Sequence, residues 1–302
     1  MQKQEISPVK LMWQMTRPHT LTASFGPIIL GTVAALYVTE INWLMFAAMM
    51  IACLALQIAT NLFNEYYDFK RGLDTAESVG IGGGIVRHGL KPKNVLMTAV
   101  LLYVFAAFIG VYICMNSSWW LAVIGLIGMA VGYLYTGGPY PIAYTPFGEL
   151  FSGLFMGTGF VLIAFFIQTG IITLESVLIS IPIGILVGAI NMSNNIRDIE
   201  EDKRGGRKTL PILLGRERAV TVLGLAFATA YLWIVLIVLL GYISPWALIL
   251  FLGLPKPISA IIGFRKGAEE PQYMKIAMKS TAMTNTVFSF LLSAGLLINY
   301  LL

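Results

Sequence analysis

Apolar residues in this chain gather into long runs instead of recurring on one side of a helix or in alternation. Nine such runs lie near 20–38, 42–63, 94–115, 119–136, 148–168, 174–196, 218–240, 245–264 and 283–302. A helix rises about 1.5 Å per residue, so about 20 apolar residues cross a hydrocarbon core of about 30 Å. The pattern predicts an all-α membrane protein: nine transmembrane helices bundled around a central cavity. They form a single polytopic domain over 1–302, with 1–19 as a cytoplasmic tail and 283–302 as the ninth helix. The connections expected outside, near 39–41, 116–118, 169–173 and 241–244, are short, whereas 64–93 and 197–217 are long and charged.

Charge fixes the orientation. Only 12% of the 302 residues are charged and 57% are hydrophobic, against about 25% charged in a soluble domain. This excludes a soluble enzyme and a disordered chain, and it excludes a nucleic-acid partner despite the net charge of +5. No protein partner is indicated either. Lys and Arg are retained on the cytoplasmic side of membranes. With a cytoplasmic N-terminus, the inner segments are 1–19, 64–93, 137–147, 197–217 and 265–282. Nineteen of the twenty Lys and Arg lie there or, for Arg218, at the first residue of the adjoining run. Lys256, between Pro255 and Pro257 inside the eighth run, is the exception. The reading is a multi-pass protein of the cell membrane with its chemistry on the cytoplasmic side. Cys53 and Cys114 fall inside apolar runs, where a thiol packs as a small hydrophobe.

Two of the runs end alike. Asn61, Asn64 and Asp68 close the second, and Asn191, Asn194 and Asp198 close the sixth, both as Asn-x-x-Asn-x-x-x-Asp. Steps of three and four residues put each trio on one helical face. The even offset of four helices turns both stripes to the same side of the membrane, which reads as a pseudo-repeat of helices 1–4 and 5–8. A polar stripe inside an apolar helix is costly unless it lines a cavity.

Each stripe runs into more acids: Glu65, Asp68, Asp74 and Glu77, then Asp198, Glu200, Glu201 and Asp202. Carboxylates and side-chain carbonyls without Cys or clustered His are hard oxygen donors that suit Mg²⁺, and Mg²⁺ shares its shell between protein carboxylates and phosphate oxygens. Two acidic patches therefore suggest a diphosphate held through Mg²⁺. Asp68 and Asp198, which end the two stripes, are the expected anchors and catalytic acids. Asn64, Glu65, Asp74, Asn194 and Asp202 are the further candidate ligands. Lys70, Arg71 and Arg87 beside the first cluster, and Arg197 with the basic run Lys203, Arg204, Arg207 and Lys208 beside the second, are the cations available to the diphosphate. Gly80, Gly82, Gly83 and Gly84 form a linker or lid and, without a preceding strand or a Gly-Lys-Ser/Thr ending, are not a P-loop. Tyr135 to Pro139 closes the fourth run.

The segments Asn64 to Asp68 with Asp74, and Asp198 to Asp202, resemble the two aspartate-rich motifs of the UbiA superfamily of intramembrane prenyltransferases. The likeness covers nearly the whole chain. Arg17 to Ala23, Asp68 to Thr75, Tyr135 to Pro139 and Asn194 to Asp198 resemble its naphthoate-prenylating branch in menaquinone biosynthesis. Glu65 stands where an Asp is usual, and Asp74 follows Asp68 by six residues instead of four. The resemblance implies Mg²⁺-dependent transfer of a polyprenyl group from polyprenyl diphosphate to an aromatic acceptor, here 1,4-dihydroxy-2-naphthoate with decarboxylation. The bilayer then holds the prenyl tail. Arg17, Tyr135 and Lys256 are the candidates for the acceptor. Other aromatic acceptors, 4-hydroxybenzoate or homogentisate, and a secondary transporter for an anion remain the alternatives.

Overall fold

The computed structural model describes residues 8–73, 83–268, 270 and 272–302. Helices α1 (Pro8–Met15), α2 (Pro18–Ala35), α3 (Trp43–Lys70), α4 (Gly84–His88), α5 (Pro92–Asn116) and α6 (Trp120–Leu134) form the first half. The second comprises α7 (Gly148–Thr169), α8 (Leu174–Arg197), α9 (Ile199–Arg204), α10 (Leu210–Leu214), α11 (Arg216–Leu239), α12 (Pro245–Lys266) and α13 (Gln272–Leu301). The described residues contain no strand.

Seven helices among the described residues, α3, α5, α7, α8, α11, α12 and α13, are long and apolar enough to cross a membrane. The runs expected at 20–38 and 119–136 fold as shorter apolar helices, Ala23–Ala35 within α2 and Trp120–Leu134. Two boundaries shift in a way that matters. The second run continues to Lys70, because nothing after Phe63 breaks a helix until Gly72 at φ +70°. The last helix begins at Gln272, eleven residues before the expected 283. The expected tail is partly helical as well. Leu11 and Met15, one turn apart, are buried on one face of α1, and Trp13 is exposed on the other.

Helix α3 packs along α5, α2 along α7 and α13, and α8 between α7 and α11. The α7–α8 contact is close because Gly153 and Gly157 face Gly184. A Cβ on Gly157 would stand 2.5 Å from the Gly184 Cα. Gly153–Thr158 is wound as a π-helix at this contact, a form that recurs beside functional sites. Both cysteines are buried and free.

Candidate active site at the mouth of a membrane cavity

A cavity of about 590 Å³ opens between the two halves. Its body is apolar, walled by Met49, Leu56, Phe151, Phe155 and Ile163 among others. Its polar end carries Asn61, Asn64, Asn191 and Asn194, so both stripes face one space. Asp68 and Asp198 follow Asn64 and Asn194 by one helical turn, which sets the acids at the cavity mouth.

A segment with no Lys or Arg, 135–149, ties the two stripes together. Thr136 Oγ1 donates to Asn64 Oδ1 at 2.7 Å, and Tyr135 OH donates to Asn191 Oδ1 at 2.8 Å. Asn195 Nδ2 donates to Glu149 Oε1 at 2.8 Å. Arg71 donates to the carbonyls of Thr136 and Gly138. Tyr144 stands between two guanidinium groups, Arg71 at 5.4 Å and Arg207 at 5.3 Å from its ring centroid, each a cation–π contact. Sequence reasoning singled out Tyr135 here but not the pairing of Tyr144 with Arg71 and Arg207. The available signal was the absence of Lys and Arg from this one long connection.

Arg207 joins the acidic motifs. Its Nη2 lies 2.6 Å from Asp68 Oδ1 and its Nη1 2.8 Å from Asp202 Oδ1. Arg197 grips the neighbouring Asp198 with both arms. Burial pushes the Asp202 carboxyl up to about 6, against the opposing pull of Arg207. Burial also opposes the charge on Arg207, but Asp68 and Asp202 outweigh it and hold that guanidinium above its ordinary value.

The candidate residues separate into groups. Asn64 and Asn194 line the cavity, Arg207 joins Asp68 to Asp202, and Arg197 pairs with Asp198. Glu65 is not with them. It is 2% exposed, and its carboxylate accepts from Gly83 N at 2.8 and 2.9 Å and from Ile85 N at 3.2 Å. It therefore caps α4, whose N-terminal amides have no helical partner, and Gly83 meets it at φ +90°, a glycine conformation. Asp74 lies outside the described residues. Lys70, Lys203 and Lys208 are exposed. The Arg87 side chain folds back over Gly83. Arg17 lines the cavity in a left-handed conformation, φ +50°, and its Nη2 stands 4.0 Å from Glu65 Oε2. Tyr135 lines it too. Lys256, by contrast, is exposed at the second residue of Pro255–Lys266, the α-helical part of α12, and does not border the cavity, in keeping with a long cation reaching for water.

The donor set suits a divalent cation, although among the described residues no three acids, His or Cys form a ready metal cluster. Arg207 occupies the gap between two of the acids. One carboxylate oxygen, Asp202 Oδ2, is buried with no hydrogen-bond partner, and an oxygen left in that state favours a cation.

A bundle with two Asn-Asp stripes at the mouth of an apolar cavity defines an intramembrane enzyme acting on a lipid with a charged head. The comparisons name the class: the UbiA prenyltransferase family model matches residues 24–279, and the chain belongs to that family. It is a multi-pass membrane enzyme of prenyl transfer. The 1,4-dihydroxy-2-naphthoate octaprenyltransferase of Bacillus subtilis (strain 168) is 65% identical over 297 residues, 98% of this chain and 95% of the relative. The protein of that name from Mycobacterium tuberculosis is 28% identical over 281 residues, 93% of this chain and 94% of its own. A UbiA homologue from Archaeoglobus fulgidus, solved with DMAPP and Mg²⁺, shares the fold with a TM-score of 0.62 at 15% identity, covering 92% of this chain and 99% of that one.

Proposed function

We propose that this enzyme transfers a polyprenyl group from polyprenyl diphosphate to 1,4-dihydroxy-2-naphthoate with loss of the carboxyl group, giving demethylmenaquinol in menaquinone biosynthesis. The observation that carries it is that the asparagines of both stripes line one apolar cavity while Arg207 joins Asp68 of the first motif to Asp202 of the second. The 65% identity to an octaprenyltransferase of that naphthoate supports the choice of acceptor. In this reading the C1–O bond of the prenyl diphosphate breaks and diphosphate leaves. The naphthoate ring carbon forms the new bond to C1, and carbon dioxide leaves that carbon. Asp68, Asp198 and Asp202, with Asn64 and Asn194, would hold Mg²⁺, which supplies positive charge to the leaving diphosphate. The apolar wall takes the tail and keeps water from the electron-poor C1. Arg17 and Tyr135 border the cavity, which supports them as the residues that meet the acceptor.

The same reading has nine spans in two four-helix halves with the ninth extra, the N-terminus cytoplasmic and the mouth on the cytoplasmic face of the plasma membrane. The distribution of Lys and Arg supports it. The test uses full-length protein in detergent with polyprenyl diphosphate and each of three acceptors, with Mg²⁺ or with a chelator. Prenylated naphthoate, lost on chelation and in Asp68→Ala and Asp198→Ala, is the expected result. Equal turnover of 4-hydroxybenzoate or homogentisate overturns the acceptor. Wild-type activity in both Ala variants overturns the site.

A further inference from the structure

Among the described residues, Arg207 is the one cation that spans the two acidic motifs. It is largely buried, its side chain 14% exposed, and its two arms are committed to Asp68 on α3 and Asp202 on α9. These acids are 134 residues apart in sequence. Two polar atoms around this bridge are buried without partners: Asp202 Oδ2, an acceptor, and Arg207 Nε, a donor. They ask for opposite things. An orphan carboxylate oxygen is satisfied by a cation, an orphan guanidinium N–H by an anionic oxygen, and a buried group left with neither is costly. A cation bound together with a diphosphate supplies both at once.

We propose that Arg207 is an exchangeable counter-ion: it holds the two motifs together before substrate binds, yields Asp68 and Asp202 to the metal, and passes its guanidinium to the diphosphate. This rests on the metal-diphosphate reading of the site above. The planar fork suits both states, since it bridges two carboxylates in one and matches phosphate oxygens in the other. The Tyr144 ring, 5.3 Å from the guanidinium carbon, gives it a surface to pivot against during the exchange.

The exchange makes the metal and the diphosphate respond in opposite directions. Full-length protein in detergent is titrated with Mn²⁺, an oxygen-preferring ion visible by electron paramagnetic resonance, first alone and then with inorganic pyrophosphate. Without pyrophosphate, Arg207→Gln should bind Mn²⁺ about tenfold more tightly than wild type, the lower end of what a close, dehydrated ion pair contributes. With Mn²⁺ saturating, the same variant should bind pyrophosphate about tenfold more weakly. Arg207→Lys keeps the charge but loses the two-armed span, so its Mn²⁺ affinity should fall between the two, and it serves if the Gln variant does not fold. Arg204→Gln, which removes an exposed cation three residues away, should change Mn²⁺ affinity less than twofold. Unchanged or weaker Mn²⁺ binding in both Arg207 variants, with Asp68→Asn still abolishing it, overturns the counter-ion role and leaves the metal site standing. An equal gain in Arg204→Gln also overturns it, because general charge then explains the effect. Mn²⁺ binding that survives both Asp68→Asn and Asp202→Asn overturns the metal reading itself, and the exchange with it.

Discussion

Replacing Glu65 by Gln separates a metal ligand from a helix cap. The Glu65 carboxylate satisfies two buried backbone donors, Gly83 N through both oxygens and Ile85 N through one, at 2.8–3.2 Å. Gln with its oxygen at the Oε1 position still accepts from both donors, but it loses the charge and turns an NH₂ toward Gly83 N in place of the second oxygen. A hydrogen bond to a charged group contributes about 1.5–3 kcal/mol, so losing one such pairing weakens the turn at 83–88 by about that much. Since about 1.4 kcal/mol is a factor of ten, amide exchange there should speed up about tenfold to a hundredfold. Glu65→Ala, which strands both donors, should lower protection further. Hydrogen exchange of the full-length protein in detergent, read by mass spectrometry on a peptide covering 83–88, gives the local effect, and a Mn²⁺ titration gives the site. Mn²⁺ affinity should stay within about twofold of wild type. Normal protection at 83–88 with a loss of Mn²⁺ affinity as large as that of Asp68→Asn would refute the capping argument and return Glu65 to the metal.

Protons and metal compete at Asp202, whose carboxyl is pushed up to about 6 by burial. Mn²⁺ half-saturation should therefore rise as pH falls from 7 to 5, and Asp202→Asn should flatten that dependence. A raised carboxyl binds its proton more tightly folded than unfolded, so its contribution to metal-free stability should grow as pH falls through about 6 toward the ordinary 3.8, measurable as a Tm difference from Asp202→Asn. Gly157→Ala should destabilise the bundle by about 1–3 kcal/mol, because its Cβ would stand 2.5 Å from the Gly184 Cα and 2.8 Å from the Ile183 carbonyl, both backbone; thermal unfolding in detergent checks it. Lys256→Met should leave KM for both substrates unchanged, since the residue is exposed away from the cavity, and a selective rise in KM for the naphthoate would place it back at the acceptor.

What the chain decides by itself is what depends on near neighbours. Hydropathy over about 20 residues sets where helices form, because every backbone polar group in lipid must be satisfied within the segment. The three-and-four spacing put Asn61, Asn64 and Asp68 on one face, and their counterparts on another, with no knowledge of the fold. The four asparagines of the two stripes do line one cavity. The division of labour among similar residues was not legible in this way. Lys203, Arg204, Arg207 and Lys208 read as one basic run, yet only Arg207 reaches Asp68, a residue 139 positions away. Glu65 and Asp68 read as one acidic motif, yet three residues turn a helix by about 300°, and the 60° that remain send one carboxylate to the amides of α4 and the other to the cavity mouth. Lys256 in an apolar run was open to both cavity and water, with water the commoner fate of such a lysine. Such choices turn on which partner lies within about 3 Å, and charge pairing at that range is set by how distant helices pack, a property that no local window of sequence contains.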